Sequence, residues 1–119
     1  MPLFKSGTTA LSIGETFNLF NADTVASNNN SVVVAIANSG PVAQNMKTWQ
    51  VQWASAPTAN VLIYGSNTAP TTTPQNGVLL ATITTQSGGL VDNSCWAFYW
   101  AQVTNYSAGG ALTVSVHVG

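Results

Sequence analysis

Charge is what this sequence has least of. Of its 119 residues only Lys5, Glu15, Asp23, Lys47 and Asp92 are ionised at neutral pH, and arginine is absent. That is 4% of the chain, against about 25% in typical soluble proteins. Two lysines and a net charge of −1 do not supply the basic footprint that neutralises several phosphates, which argues against direct nucleic-acid binding. A single cysteine, Cys95, excludes an intrachain disulfide framework and a cysteine-based zinc site. Its place in an aromatic stretch marks it as a small buried hydrophobe rather than a nucleophile. No long apolar run occurs, so neither a transmembrane helix nor a signal peptide is expected. The sequons at Asn29 and Asn105 then carry no weight, and synthesis in a cytoplasm is the simplest inference.

Groups for catalysis are equally scarce. General acid–base work needs titratable side chains gathered in a cleft, and only Glu15, Asp23, Asp92, His117 and the lysines are on offer. His117 lies on the outward phase of a C-terminal strand, and no nucleophile turn of the G-x-S-x-G kind accompanies it. The carboxylates have no calcium-loop spacing. Gly88-Gly89 and Gly109-Gly110 lead into strands rather than into the helix N-termini that cradle phosphates. No catalytic, cofactor-binding or metal-ligating residue is assigned, and the chain is not read as an enzyme.

What is present is β-structure. Period-2 alternation and β-branched residues dominate, punctuated by Gly, Pro, Asn and Ser, and no segment holds a helical period. "ALSIG" sets Leu11 and Ile13 on one face, and "TFNLFN" pairs Phe17 with Leu19 before Phe20 breaks the pattern. "SVVVAIAN" (31–38) is apolar on both faces, as a central strand would be. "KTWQVQWAS" alternates Trp49, Val51 and Trp53 against Thr48, Gln50 and Gln52, so the glutamines face water or a wet interface. "NVLIYGS" and "GVLLATITT" are strands joined by a projecting Thr/Pro-rich loop. "SGGLVDN" turns the chain into the aromatic strand, and "YSAGG" turns it into "ALTVSVHVG". The sum is one all-β domain, an antiparallel β-sandwich or jelly roll of about eight strands over 11–119. A possible N-terminal arm covers 1–10, with Leu3 and Phe4 as apolar anchors.

The stretch "CWAFYWAQV" (95–103) is the densest in aromatic bulk. Alternation sets Trp96, Phe98 and Trp100 opposite Cys95, Ala97, Tyr99, Ala101 and Val103. Both faces are apolar, whereas a two-layer domain gives each sheet only one face toward the core, so a loop, an arm or another subunit must cover the outward one. The bulky side is the ordinary choice for the core, while its continuation into Gln102 and Thr104 favours the reverse. Exposed aromatics beside amides would suit a sugar-binding platform or a protein interface. The interface candidates are Trp96, Phe98, Trp100, Leu3, Phe4, Gln50 and Gln52.

Over residues 49–119, the strand "VLIYGSN" before a polar loop, "GVLLATITT", the aromatic strand ending "AQVTN" and "SAGGALTVSVHVG" together resemble small β-sandwich virion proteins of tailed bacteriophages. That group includes capsid cement or decoration proteins and related head- or tail-fibre modules. It leads one to expect an arginine in the aromatic strand, and this chain has none. The resemblance implies a structural protein of the virion, made in the host cytoplasm. It would bind the major capsid protein or other virion proteins, often as a homotrimer, without nucleic acid, membrane or cofactor. The alternative it implies is a fibre or receptor-binding module that recognises host glycans.

Overall fold

The computed structural model describes residues 3–4, 8–36, 46–71 and 76–119. Eleven strands run through them: β1 (Leu3–Phe4), β2 (Thr8–Leu11), β3 (Thr16–Asp23), β4 (Asn29–Asn30), β5 (Val33–Ile36), β6 (Lys47–Trp53), β7 (Thr58–Ser66), β8 (Val78–Ile83), β9 (Ser87–Asp92), β10 (Phe98–Ala108) and β11 (Leu112–Val118). No helix of the described residues is long and apolar enough to cross a membrane. The architecture is the expected β-sandwich. Its first sheet, A, centres on β10, which pairs with β4 and β5 on one side and with β7 on the other. β8 extends it beyond β7, and β1 and β2 extend it beyond β4 and β5. The second sheet, B, runs β3-β11-β6-β9.

Three strands go beyond the eight anticipated. Two are the short pieces β1 and β4. The third corrects the reading of "SGGLVDN" as a turn: Ser87–Asp92 is a strand that pairs antiparallel with β6. Residues 3–4 and 8–11, expected as a possible arm with the start of the first strand, hydrogen-bond along sheet A, parallel to β4 and β5. Residues 37–38 of the expected central strand, and 72–75 of the Thr/Pro loop, lie outside the described residues.

The core lies between the sheets and is filled from alternating positions. Trp49, Val51 and Trp53 of β6 and Leu112, Val114 and Val116 of β11 are wholly buried, and face Val34, Val61, Ile63, Tyr99, Ala101 and Val103 from sheet A. Each fully buried Val or Leu side chain contributes about 1.5–3 kcal/mol relative to exposure. The break at Phe20 is a β-bulge. Val114 pairs with Phe20 and Ser115 with Asn18, so Leu19 is the extra residue, and both Leu19 and Phe20 turn inward. Ile13, expected on the same face as Leu11, is instead in the turn after β2 and half exposed. At the other end of the sandwich Gly109, with φ of 146°, passes so close to Trp53 that a Cβ would sit 2.6 Å from its ring. Tyr106 stacks on that same indole at 5.8 Å between centroids.

Candidate functional site

The aromatic strand resolves its own ambiguity. β10 begins at Phe98, and Tyr99, Ala101 and Val103 point into the core, so the small-residue side is the inner one and Phe98, Trp100 and Gln102 point out. Trp96 does not share that outward face. It precedes the strand and packs toward the core over Gly65, whose missing Cβ would lie 2.4 Å from the indole. Cys95 is exposed, which corrects its expected burial: the connection 93–97 is outside the sheet, so strand alternation does not apply there.

Trp100 faces outward and is nevertheless fully buried. The register sets it beside Tyr64, and the two rings stack at 5.7 Å with planes 17° apart. Gly77, at the end of the Thr/Pro loop, lies on the same ring, since a Cβ there would be 2.6 Å from Trp100 Cζ2. Loop residues therefore help to cover this ring. Asn76 holds the loop in place. Its Nδ2 donates to Thr68 Oγ1 at 2.9 Å and to the Ala69 carbonyl at 3.0 Å, and its Oδ1 accepts from the Thr71 amide at 2.9 Å. Burying an aromatic side chain of about 150–250 Å² at about 25 cal/mol per Å² contributes roughly 4–6 kcal/mol. Trp100 thus serves the chain's own stability, while Phe98 is half-buried beside it. The backbone of Leu3 and Phe4 lies alongside β4; their side chains fall outside the description.

The outward face of sheet B has the opposite character. Cross-strand register arranges its side chains in rows. Thr16, His117, Thr48 and Val91 form one, Asn18, Ser115, Gln50 and Gly89 the next, and Thr113, Gln52 and Ser87 a third. Gln50 and Gln52 are exposed, as their phase predicts. The rows are knit by hydroxyl and amide bonds: Ser87 Oγ donates to Gln52 Oε1 at 2.6 Å, and Thr16 Oγ1 meets His117 Nδ1 at 2.7 Å. None of these side chains is a carboxylate or an amine. The face is largely polar and uncharged. No aromatic side chain among the described residues is among the exposed large hydrophobics, which are Ile13, Met46, Val78, Leu79 and Val91.

One cluster escaped the sequence reading. Lys47 precedes Trp49 in the inward phase of β6 and is 1% exposed. Its Nζ donates to the Ser94 carbonyl at 2.6 Å, lies 3.8 Å from Asp92 Oδ2 and sits 4.7 Å over the Tyr99 ring. Ser94 gives Asp92 both its amide, at 2.8 Å, and its hydroxyl, at 2.9 Å. Tyr99 completes the set, its hydroxyl donating to the Ser94 carbonyl at 2.8 Å and accepting from the Trp96 amide at 2.9 Å. Burial pulls the Lys47 ammonium below its ordinary range, with Asp92 and then Cys95 opposing that pull. Burial also pushes the Tyr99 phenol up. The available signal was the alternation itself, which places a lysine in phase with two buried tryptophans. With lysine and aspartate closed from solvent, the cluster ties β6, β9 and the entry to β10 together. Among the described residues no three His, Cys, Asp or Glu side chains gather as a metal site would require.

No family model matches the chain, and comparison with curated proteins and with solved structures finds no match.

Proposed function

We propose that the chain is a structural virion protein, a cement or decoration protein that binds the outside of a phage head and stabilises the shell through contact with the major capsid protein. The observation that carries this reading is the outward face of sheet B, four strands wide and free of formal charge, with Gln50 and Gln52 at its centre. Such a face can be buried against a capsid without stranding a charge, and its amides and hydroxyls can supply the hydrogen bond per 100–200 Å² or so that interfaces carry. Repeated over a lattice, modest interfaces sum to a large stabilisation after association costs are met. The trimeric clustering that the resemblance implies belongs to this bound state. The glycan-binding alternative is not carried further, because no aromatic side chain among the described residues is exposed: Trp96, Phe98 and Tyr106 are half-buried and Trp100 is buried.

The test is co-sedimentation of the purified protein with shells assembled from the major capsid protein of the phage that encodes it. Saturable binding that stabilises the shells to heat is expected, with Gln50→Lys and Gln52→Lys together weakening it at least tenfold. Absence of binding at saturating protein refutes the proposal.

A further inference from the structure

The five outer strands of the two sheets are not equally protected. An unpaired strand edge is a template for another strand, and natural proteins blunt it with charge, proline, shortness or bulges. On sheet B, β3 carries Asp23, two register irregularities and a left-handed Ala22 with φ of 51°. β9 contains Gly88 and Gly89 and ends in Asp92, which is held inward next to Lys47. On sheet A, β1 is only two residues long and β2 only four. β8 is guarded least, by one irregularity alone. Its six residues, "VLLATI", continue the apolar and β-branched character that favours strands, and no charge or proline occurs from Gly77 to Gln86. Among the described residues β8 pairs only with β7. Its one irregularity, at Leu80, lies between Tyr64↔Leu79 and Ile63↔Ala81 and introduces no polar group. Val78 is 46% exposed and Leu79 51%.

We propose that β8 is a self-association edge, pairing antiparallel with β8 of a second copy about a two-fold axis. The chemistry selects the occupant. No Asp, Glu, Lys, Arg or His occurs in any described strand of sheet A, so a charged partner strand finds no counter-charge there and two copies meet without repulsion. A two-fold axis makes the contact isologous and closes it at two copies. The paired strands, about 20 Å long, join the two A sheets into one and cover Val78 and Leu79. A contact of this size falls in the weak class, below about 1,200 Å². The dimer is therefore weak and forms only as protein concentration is raised.

Sedimentation equilibrium from low micromolar to millimolar protein, together with amide exchange of residues 78–83 at both extremes, tests it. A monomer–dimer equilibrium is expected, with β8 amides gaining protection as dimer forms. Leu79→Lys and Thr82→Lys, both at exposed positions, each weaken association at least tenfold. Ala56→Lys, in an exposed turn, leaves it unchanged. Thermal melts confirm that the variants fold. A monomer at every concentration, association indifferent to both β8 lysines, or a trimer without protection of β8 overturns the proposal. Shell binding by a monomeric protein would leave the virion reading standing while this one fell.

Discussion

Replacing Asp92 by alanine is the most informative perturbation of the buried cluster, because it leaves Lys47 in place without its counter-charge. Lys47 is 1% and Asp92 8% exposed, so solvent cannot take over for the missing carboxylate. Breaking a buried pair by removing one member costs about 3–5 kcal/mol. The lysine part has a ceiling: giving up the proton at pH 7 from an ordinary value of 10.5 costs about 5 kcal/mol at about 1.36 kcal/mol per pH unit. The Ser94 amide and hydroxyl lose their acceptor as well, adding about 1–2 kcal/mol where they stay buried. A total of about 4–7 kcal/mol is expected, a lowering of the melting temperature by roughly 15–30 °C for a domain of this size. Lys47→Met also strips a buried charge of its partner but should cost less than Asp92→Ala, since Asp92 keeps both donors from Ser94 and the Ser94 carbonyl keeps the Tyr99 hydroxyl. The double variant should be more stable than Asp92→Ala alone, since the orphaned charge is gone. Guanidinium unfolding at several pH values provides the assay. Because Lys47 in the folded chain lies below 10.5, the unfolded chain binds more protons between those two values, and stability rises with pH through that window. Tyr64 and Tyr99 lie above 10.0 when folded, so above that pH the unfolded chain ionises first and stability falls again. The Asp92→Ala deficit must accordingly shrink as pH rises toward 10.5, because without Asp92 the Lys47 ammonium is held lower still than in the parent and goes neutral first. A deficit under 1 kcal/mol, or a double variant no better than the single, refutes the reasoning.

Two further outcomes follow from close packing and exposure. Gly65→Ala puts a Cβ 2.4 Å from Trp96 Cδ1, so the indole must be displaced at a cost of about 1–3 kcal/mol; a lower denaturation midpoint with a red-shifted tryptophan emission is expected, and an unchanged midpoint counts against the placement of Trp96. Cys95, exposed beside the Asn93 carbonyl, should react with one equivalent of a thiol reagent such as Ellman's without denaturant, whereas a thiol silent until unfolding would show that it is buried.

Strands whose two faces differ were legible in the sequence. β11 throughout, and β6 from Trp49 onward, alternate apolar with polar side chains, and the structure buries the apolar set of each. β9 was not legible, because its glycines carry the local signal of a turn while serving a tertiary need. A Cβ on Gly89 would lie 2.6 Å from the Trp49 carbonyl oxygen, and one on Gly88 would lie 2.8 Å from Ile83 Cγ2. Local propensity reports flexibility at such positions, and only the neighbouring strand reveals crowding. The aromatic stretch failed for a different reason. Periodicity fixes which residues alternate but not where the strand begins, so Trp96 was given the face of Phe98 and Trp100 when it belongs before the strand and over Gly65. The Lys47–Asp92 pair depends on the register of two strands distant in sequence, which no local pattern contains.

The scarcity of charge also has a distribution that composition alone conceals. Of the four ionised residues in the described chain, Lys47 and Asp92 are spent inside the sandwich, and only Glu15 and Asp23 remain outside it, at the two ends of β3. Electrostatic repulsion between copies is consequently weak, so what separates them is edge geometry and hydration. On sheet B hydroxyl and amide rows hold water, and the bulged β3 offers a poor template. On sheet A the outward tryptophan is covered by Tyr64 and Gly77, which removes the large apolar patch that the aromatic strand seemed to demand a partner for. The demand moves one strand outward, to β8, where Val78 and Leu79 are exposed beside an edge that is unpaired among the described residues. Association by this chain is therefore governed by backbone pairing at β8 rather than by burial of the tryptophans, and should depend only slightly on salt: dimerisation that varied steeply with ionic strength would contradict an edge without charges.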